Sequence, residues 1–456
     1  MSSDTSDHLQ GDPDLFVRIA ENALLVADDL RREYFQSTLG IAREMRTVFR
    51  SGSGRHRITA VDTVPMPPVP VAFIDGGIAQ ADLSIAAPLV VRAGIFRVKP
   101  GERDLEKRET FDHFPLMLGQ LRGGLKADRR YGDVVRQLVE LGAMVAALED
   151  DAFDDIRLLM LHGPLQFVSG PFFGHWFFPE DYEAMLQRND AERPYVLTTL
   201  SKFAGWCKEC HLQGTERCTR DIGDKHLPAV CMMAFLQHHI LERARHKGVL
   251  VCGVVERSFG RSVTRHVVKE MLTTRPELFD RLLGAIEMRG RGVTAQVDAI
   301  LDATRYNDAV LLALAMNRGE ALEWYPVNPR LKINDERVAL FPDVQNTFVR
   351  VTSAKYPMRI EVPAGYGAEE CEGVLRRAYE YASLLPGYAF PIGLDIADKY
   401  AAIPGWMTKA YHQLILAEYG RLLAGEFVEM TDTEALKAMI VMQGTGKRSR
   451  RTRPEV

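Results

Sequence analysis

Six cysteines in a chain of 456 residues are too few for a disulfide framework, so a reducing compartment is the expectation. No apolar run approaches the ~18 residues needed to cross a bilayer. The opening MSSDTSDHLQGDPD lacks both the basic region and the apolar core of a secretory signal. A soluble, cytoplasmic protein is expected, with no membrane partner. Charge of one sign is also missing: the net charge of −4 excludes a chain coated in basic residues. It leaves room for a local basic channel, because nucleic-acid contact depends on how charge is distributed. Gly444-Thr445-Gly446-Lys447 lacks the first glycine and the Ser/Thr of a phosphate loop. No Gly-x-Ser-x-Gly elbow occurs either. Nucleotide-driven work by this chain is therefore not expected.

What is present is the composition of a globular protein, 46% hydrophobic and 26% charged. The length is roughly three times the usual domain size of about 150 residues. Residues 1–65 read as an N-terminal helical region, after a polar lead. A main domain spans 66–403 and carries an insertion at 165–245; a helical region, 404–446, and a basic tail, 447–456, complete the chain. Within the main domain Val71–Asp75, residues 84–98, Ile156–Leu161 and Val249–Val255 read as strands, and Tyr131–Leu148 has the spacing of an amphipathic helix. Later strands at 347–351 and 358–362 precede helices at 369–383 and 394–402. The fold class is α/β, with a mixed central sheet flanked by helices.

Five places carry candidate chemistry. Asp75 closes the apolar run Val71-Ala72-Phe73-Ile74 and precedes two glycines, either as an Asp-Gly turn or as an acid at an active-site edge. Glu140 lies off the apolar stripe of its helix, either as a solvent-facing partner of Arg136 at i−4 or as a metal ligand. His162 closes Leu158-Leu159-Met160-Leu161 and reads as a ligand, a general base or a histidine bonded at a strand end. Asp395 and Asp398 share one face of a late helix, behind the approach Pro386-Gly387-Tyr388-Ala389-Phe390-Pro391. Cys207-Lys208-Glu209-Cys210, with Cys218 and Cys231, either closes a structural zinc site or holds reduced thiols. Cys252 and Cys371 read as core residues.

Taken in order, these residues resemble the NurA family, RNase H-like nucleases that partner the HerA translocase. The resemblance rests on Ile74-Asp75-Gly76-Gly77, Glu140, Leu161-His162-Gly163-Pro164-Leu165, Val255-Glu256-Arg257-Ser258, Phe348-Val349-Arg350, Pro357-Met358-Arg359-Ile360-Glu361 and Pro391 through Asp398. It implies an RNase H-like fold and cleavage of DNA ends with Mn²⁺ or Mg²⁺ held by Asp75, Glu140, His162 and Asp395 or Asp398. It also implies a homodimer docked on a HerA-like hexameric ATPase, in DNA repair or defence. Arg257, Arg350, Lys355 and Arg359 become candidates for the DNA backbone. The chain departs from the family where His162 replaces an Asp and where Glu256 replaces a basic residue. Those departures define a second reading, a NurA-like subunit that binds DNA or docks the motor without cutting. A zinc-binding regulatory module at 207–231 is a third, and it leaves the strand-end acids unexplained.

Overall fold

The computed structural model describes residues 13–31, 36–51, 56–80, 89–119, 129–165, 176–177, 227–286, 290–327 and 340–426. The chain opens with helices α1 (Pro13–Asp29) and α2 (Gln36–Ser51) and the short strand β1 (Ile58–Ala60). Strands β2 (Val71–Gln80), β3 (Leu89–Val98) and β4 (Glu109–Gly119) follow, with one turn of helix, α3 (Leu105–Arg108), before the last. Helix α4 (Arg129–Glu149) leads to β5 (Leu158–His162), and a small ribbon, β6 (Trp176–Phe177) with β7 (Leu227–Pro228), precedes α5 (Ala229–Lys247) and β8 (Leu250–Val255). Helices α6 (Ser262–Thr274), α7 (Asp280–Ala285), α8 (Val293–Thr304) and α9 (Asp308–Ala315) come next, then β9 (Glu320–Leu322) and β10 (Tyr325–Pro326). The described chain ends with β11 (Val344–Arg350), β12 (Met358–Pro363), α10 (Ala368–Ser383), α11 (Ile392–Ala401) and α12 (Gly405–Glu426).

Contacts divide the chain into two compact units, the first made of residues up to Val61 with 257–323 and 348–358, the second of the remainder. In the first, α2 packs on α9, and α6 on α8. Buried Asp308 accepts from Ser262 N, Ser262 Oγ and Thr264 N, capping α6 with a carboxylate distant in sequence. Arg46 grips Glu320 through both terminal nitrogens, at 2.8 and 3.1 Å.

The second unit is built on a mixed sheet in the order β12-β8-β5-β2-β3-β4. Strands β2, β5 and β8 are parallel, and the outer pairings β2–β3, β3–β4 and β12–β8 are antiparallel. Three antiparallel strands followed, across a helix, by two parallel ones is an RNase H-like arrangement, and the α/β reading holds. Leu158, Leu159, Met160 and Leu161 of β5 are all fully buried. Burial on both faces is why this strand reads as a continuous apolar run without alternation, and each such side chain contributes about 1.5–3 kcal/mol. Among the described residues no helix is long and apolar enough to cross a membrane.

Candidate functional site

Asp75 stands in the middle of β2, where the sequence placed it at a strand end. The strand continues through Gly76 and Gly77 to Gln80, paired with β3 throughout. The two glycines serve close approach here. A Cβ at Gly76 would lie 2.7 Å from Glu140 Cγ, and one at Gly94, opposite Asp75, would lie 2.7 Å from the Ala397 carbonyl oxygen. Successive strand residues face opposite ways, so α4 covers one face of β2 at Gly76 while α11 covers the other at Gly77, beside Ala401. Gly76→Ala is expected to cost about 1–3 kcal/mol by overpacking and to push the Glu140 carboxylate aside. Thermal melting checks the first effect and metal affinity the second.

The parallel pairing of Ile74 with Leu161 sets His162 beside Asp75. His162 Nδ1 and Asp75 Oδ2 are 2.6 Å apart, and the Gly76 amide donates to Asp75 Oδ1 at 2.7 Å. The Phe390 ring lies 5.0 Å from that of His162. Burial opposes charge on His162. The hydrogen bond and charge of Asp75, with Glu140 and Asp398 behind it, prevail and raise its pKa above the ordinary imidazole value.

Glu140 is fully buried, not solvent-facing, although Arg136 does pair with its Oε1. Its Oε2 is buried without a hydrogen-bond partner. Burial outweighs the pull of Arg136 and lifts the Glu140 pKa to about 7. Asp398 hydrogen-bonds to Asp75, and its pKa is raised by partial burial first and by the Asp75 charge next. Asp395, on the same helix, is engaged differently. It accepts from Lys399 Nζ at 2.5 Å and from the Tyr388 hydroxyl, and the Lys399 bond leads in lowering its pKa. Tyr388 is pushed up to about 12, chiefly by burial and then by Asp395. The structure thus gathers Asp75, Glu140, His162 and Asp398, and ties Asp395 to its own neighbours. Tyr388 and Phe390 were legible only as an aromatic, proline-containing approach, with no mark of which acid they serve.

The basic candidates separate. Arg359 pairs with Glu361 at 2.9 Å on β12. Arg257 and Lys355 are exposed on the first unit. Arg350 is buried, and it donates to the carbonyls of Met316, Thr352 and Ser353 at 3.0, 3.2 and 2.8 Å. Its guanidinium is occupied by backbone, which is the work of a strut and not of a phosphate contact. Arg350→Met is expected to lose at least about 2 kcal/mol of stability, since charged hydrogen bonds vanish and carbonyls are stranded; denaturant unfolding measures it. Cys207, Cys210 and Cys218 lie outside the described residues, as does the side chain of Cys231. Cys252 and Cys371 are free thiols buried in the core.

Among the described residues no three His, Cys, Asp or Glu side chains already stand in metal-binding geometry. The donors nevertheless fit a divalent cation in their chemistry. The orphaned Glu140 Oε2 lacks a partner, and Asp75 and Asp398 can hydrogen-bond to each other only by retaining a proton. A divalent cation held by Asp75, Glu140 and Asp398 would take the place of that proton and give the orphaned oxygen a partner, since hard oxygen donors suit Mg²⁺ or Mn²⁺.

No protein-family model matches the chain, and no curated protein matches it in sequence. Among solved structures it is similar to the NurA nuclease from Sulfolobus solfataricus, at 14% identity and a TM-score of 0.48, covering 92% of this chain and 98% of that one. It is similar to NurA bound to dAMP and manganese at 10% identity and a TM-score of 0.37, again covering 92% and 98%. Human ENDOV is a more distant likeness, with 9% identity, a TM-score of 0.29, and 80% and 96% covered. Solved structures of NurA nucleases are thus among those to which this chain is similar over more than nine-tenths of its length.

Proposed function

We propose that this chain is a divalent-metal-dependent DNA nuclease of NurA type. The observation that supports it most is the meeting of Asp75, Glu140 and Asp398 around His162, with a buried carboxylate oxygen left unpartnered. When bound, a divalent cation at such a site polarises a phosphodiester and makes water a better nucleophile at neutral pH. Asp75, Glu140 and Asp398 would hold it. His162 pairs with the Asp75 carboxylate through Nδ1, so its protonated form would compete with the cation for that ligand. Tyr388 and Lys399 hold Asp395, on the helix that carries Asp398. Arg257, Lys355 and Arg359 are proposed to meet DNA phosphates, whose neutralisation makes binding salt-dependent. From the family resemblance the protein works as a homodimer with a HerA-like ATPase, which co-purification and light scattering examine.

The direct test incubates purified protein with linear DNA in Mn²⁺, Mg²⁺ or EDTA. Loss of DNA in Mn²⁺ and none in EDTA is expected; intact DNA in every condition, with the ATPase also present, sinks the reading.

Stability supplies an independent check. Glu140 binds a proton in the folded state up to about pH 7, well above its ordinary 4.5. That contribution is fully present below the ordinary value and is lost as pH rises through about 7. Melting temperature in EDTA is expected to fall across this window. The increment from added Mn²⁺ is expected to grow across it, since ligation needs the ionised carboxylate. An increment that stays flat between pH 5.5 and 8 removes Glu140 from the metal's ligands.

One observation favours the second reading, a DNA-binding subunit that does not cut. Arg136 and His162 already pair with Glu140 and Asp75, supplying from within the chain the positive charge a metal brings. DNA binding without cleavage in any metal is its signature.

A further inference from the structure

Four aromatic rings run in a row from β2 to α11. Phe73 stacks on Phe96 with centroids 6.0 Å apart, Phe96 on Phe111 at 4.8 Å, and Phe111 on Tyr400 at 4.4 Å, with planes inclined by 22°, 22° and 16°. The register produces the row, because Phe73–Phe96 and Phe96–Phe111 are directly opposed across β2–β3 and β3–β4. Phe73 lies two residues before Asp75 on β2 and shares its face of the sheet. Tyr400 lies two residues beyond Asp398 on α11. The row therefore begins two residues from one acid of the cluster and ends two residues from another, on the helix that brings it.

Burial falls along it. Phe73 is fully buried and Phe96 is 4% exposed, whereas Phe111 is 39% and Tyr400 42% exposed. Single exposed apolar residues need no explanation. Here the core surfaces as the end of a near-parallel stack, with one face of the Tyr400 ring against Phe111 and the residue nearly half exposed. A Cβ on Gly94, the residue directly opposite Asp75, would lie 3.0 Å from Tyr400 Cβ, so Tyr400 is seated beside the acids.

We propose that Tyr400, backed by Phe111, is a stacking platform for one base of single-stranded DNA whose neighbouring phosphate lies at Asp75 and Asp398. The substrate class rests on the nuclease reading. An unpaired base can turn a free π-face to an aromatic ring, whereas bases within a duplex are covered on both faces. The platform therefore favours single strands and frayed ends over intact duplex.

The test is equilibrium binding of a labelled oligothymidylate in EDTA, where metal-dependent cleavage cannot occur. Tyr400→Leu keeps apolar contact with Phe111 but removes the ring. It is expected to weaken binding about tenfold, within the range that one base on one ring supports, while Tyr400→Phe binds like the parent. A matching strand of abasic sites should bind the parent about tenfold more weakly and lose nothing further in Tyr400→Leu, since the base is the ring's partner. That comparison uses the unaltered protein, so it stands even where a variant misfolds. Equal binding of thymidine and abasic strands by the parent overturns the platform, as does Tyr400→Leu binding thymidine strands like the parent. Base-dependent binding without Mn²⁺-dependent cleavage by the parent keeps the platform and removes the nuclease reading.

Discussion

Asp75→Asn is expected to lower Mn²⁺-dependent DNA degradation by more than about 100-fold, beyond the 10–100-fold typical of residues that only support a ligand. Asparagine keeps the shape, and its carbonyl oxygen can still accept from the Gly76 amide. What disappears is the charge that meets His162 Nδ1 at 2.6 Å and that raises the pKa values of Glu140, His162 and Asp398. Circular dichroism should be unchanged, and melting should shift little, because Asp75→Asn relieves repulsion with Asp398 while losing the His162 pair. Cleavage at the parental rate by a folded variant would place the chemistry elsewhere.

His162→Asp is expected to raise activity in Mg²⁺ by roughly tenfold or more, and in Mn²⁺ by less. The exchange removes a cation that competes for Asp75 and adds an oxygen donor, which benefits hard Mg²⁺ most. The pH response should change with it. In the parent, Glu140 with a pKa of about 7 and His162 with a pKa raised above 6.5 must both lose protons before a cation can compete. The imidazolium–Asp75 pair is fully formed below the ordinary histidine value and is lost as pH rises through the raised one. The acid limb of log rate against pH should therefore steepen towards a slope of two in the parent and stay near one in the variant. Matching slopes and matching metal preference in both proteins would confine His162 to a packing role.

The sheet was legible where strands are buried on both faces, as in Leu158–Leu161, and so was α4 with its three-and-four spacing. The extent of β2 was not. Asp75-Gly76-Gly77 carries the signature of a turn, and only the tertiary contacts of Gly76 with Glu140 and of Gly77 with Ala401 show why glycine is needed inside a strand. Strand β4 is not legible in the sequence, because charge, His113 and Pro115 break its alternation. Among the acids, order along the chain indicated the cluster but could not choose between Asp395 and Asp398. Both lie on one helix, and the choice depends on Lys399 and Tyr388 capturing the first. Arg350 shows the reverse limit: an arginine beside an aromatic in a late strand reads the same whether it meets phosphate or, as here, three carbonyls of its own backbone.

The glycines that seat α4 and α11 leave a mark independent of the proposed chemistry. A side chain at Gly76, Gly77, Gly94 or Gly393 collides with Glu140, Ala401, Ala397 or Phe73 respectively. A descendant that keeps these helices seated must keep the glycines even after it has discarded every acid. Retained glycines with missing acids would then identify a retired enzyme, whereas glycines and acids lost together would indicate a refolded sheet. Inheritance of scaffold and inheritance of activity can in this way be told apart from sequence alone.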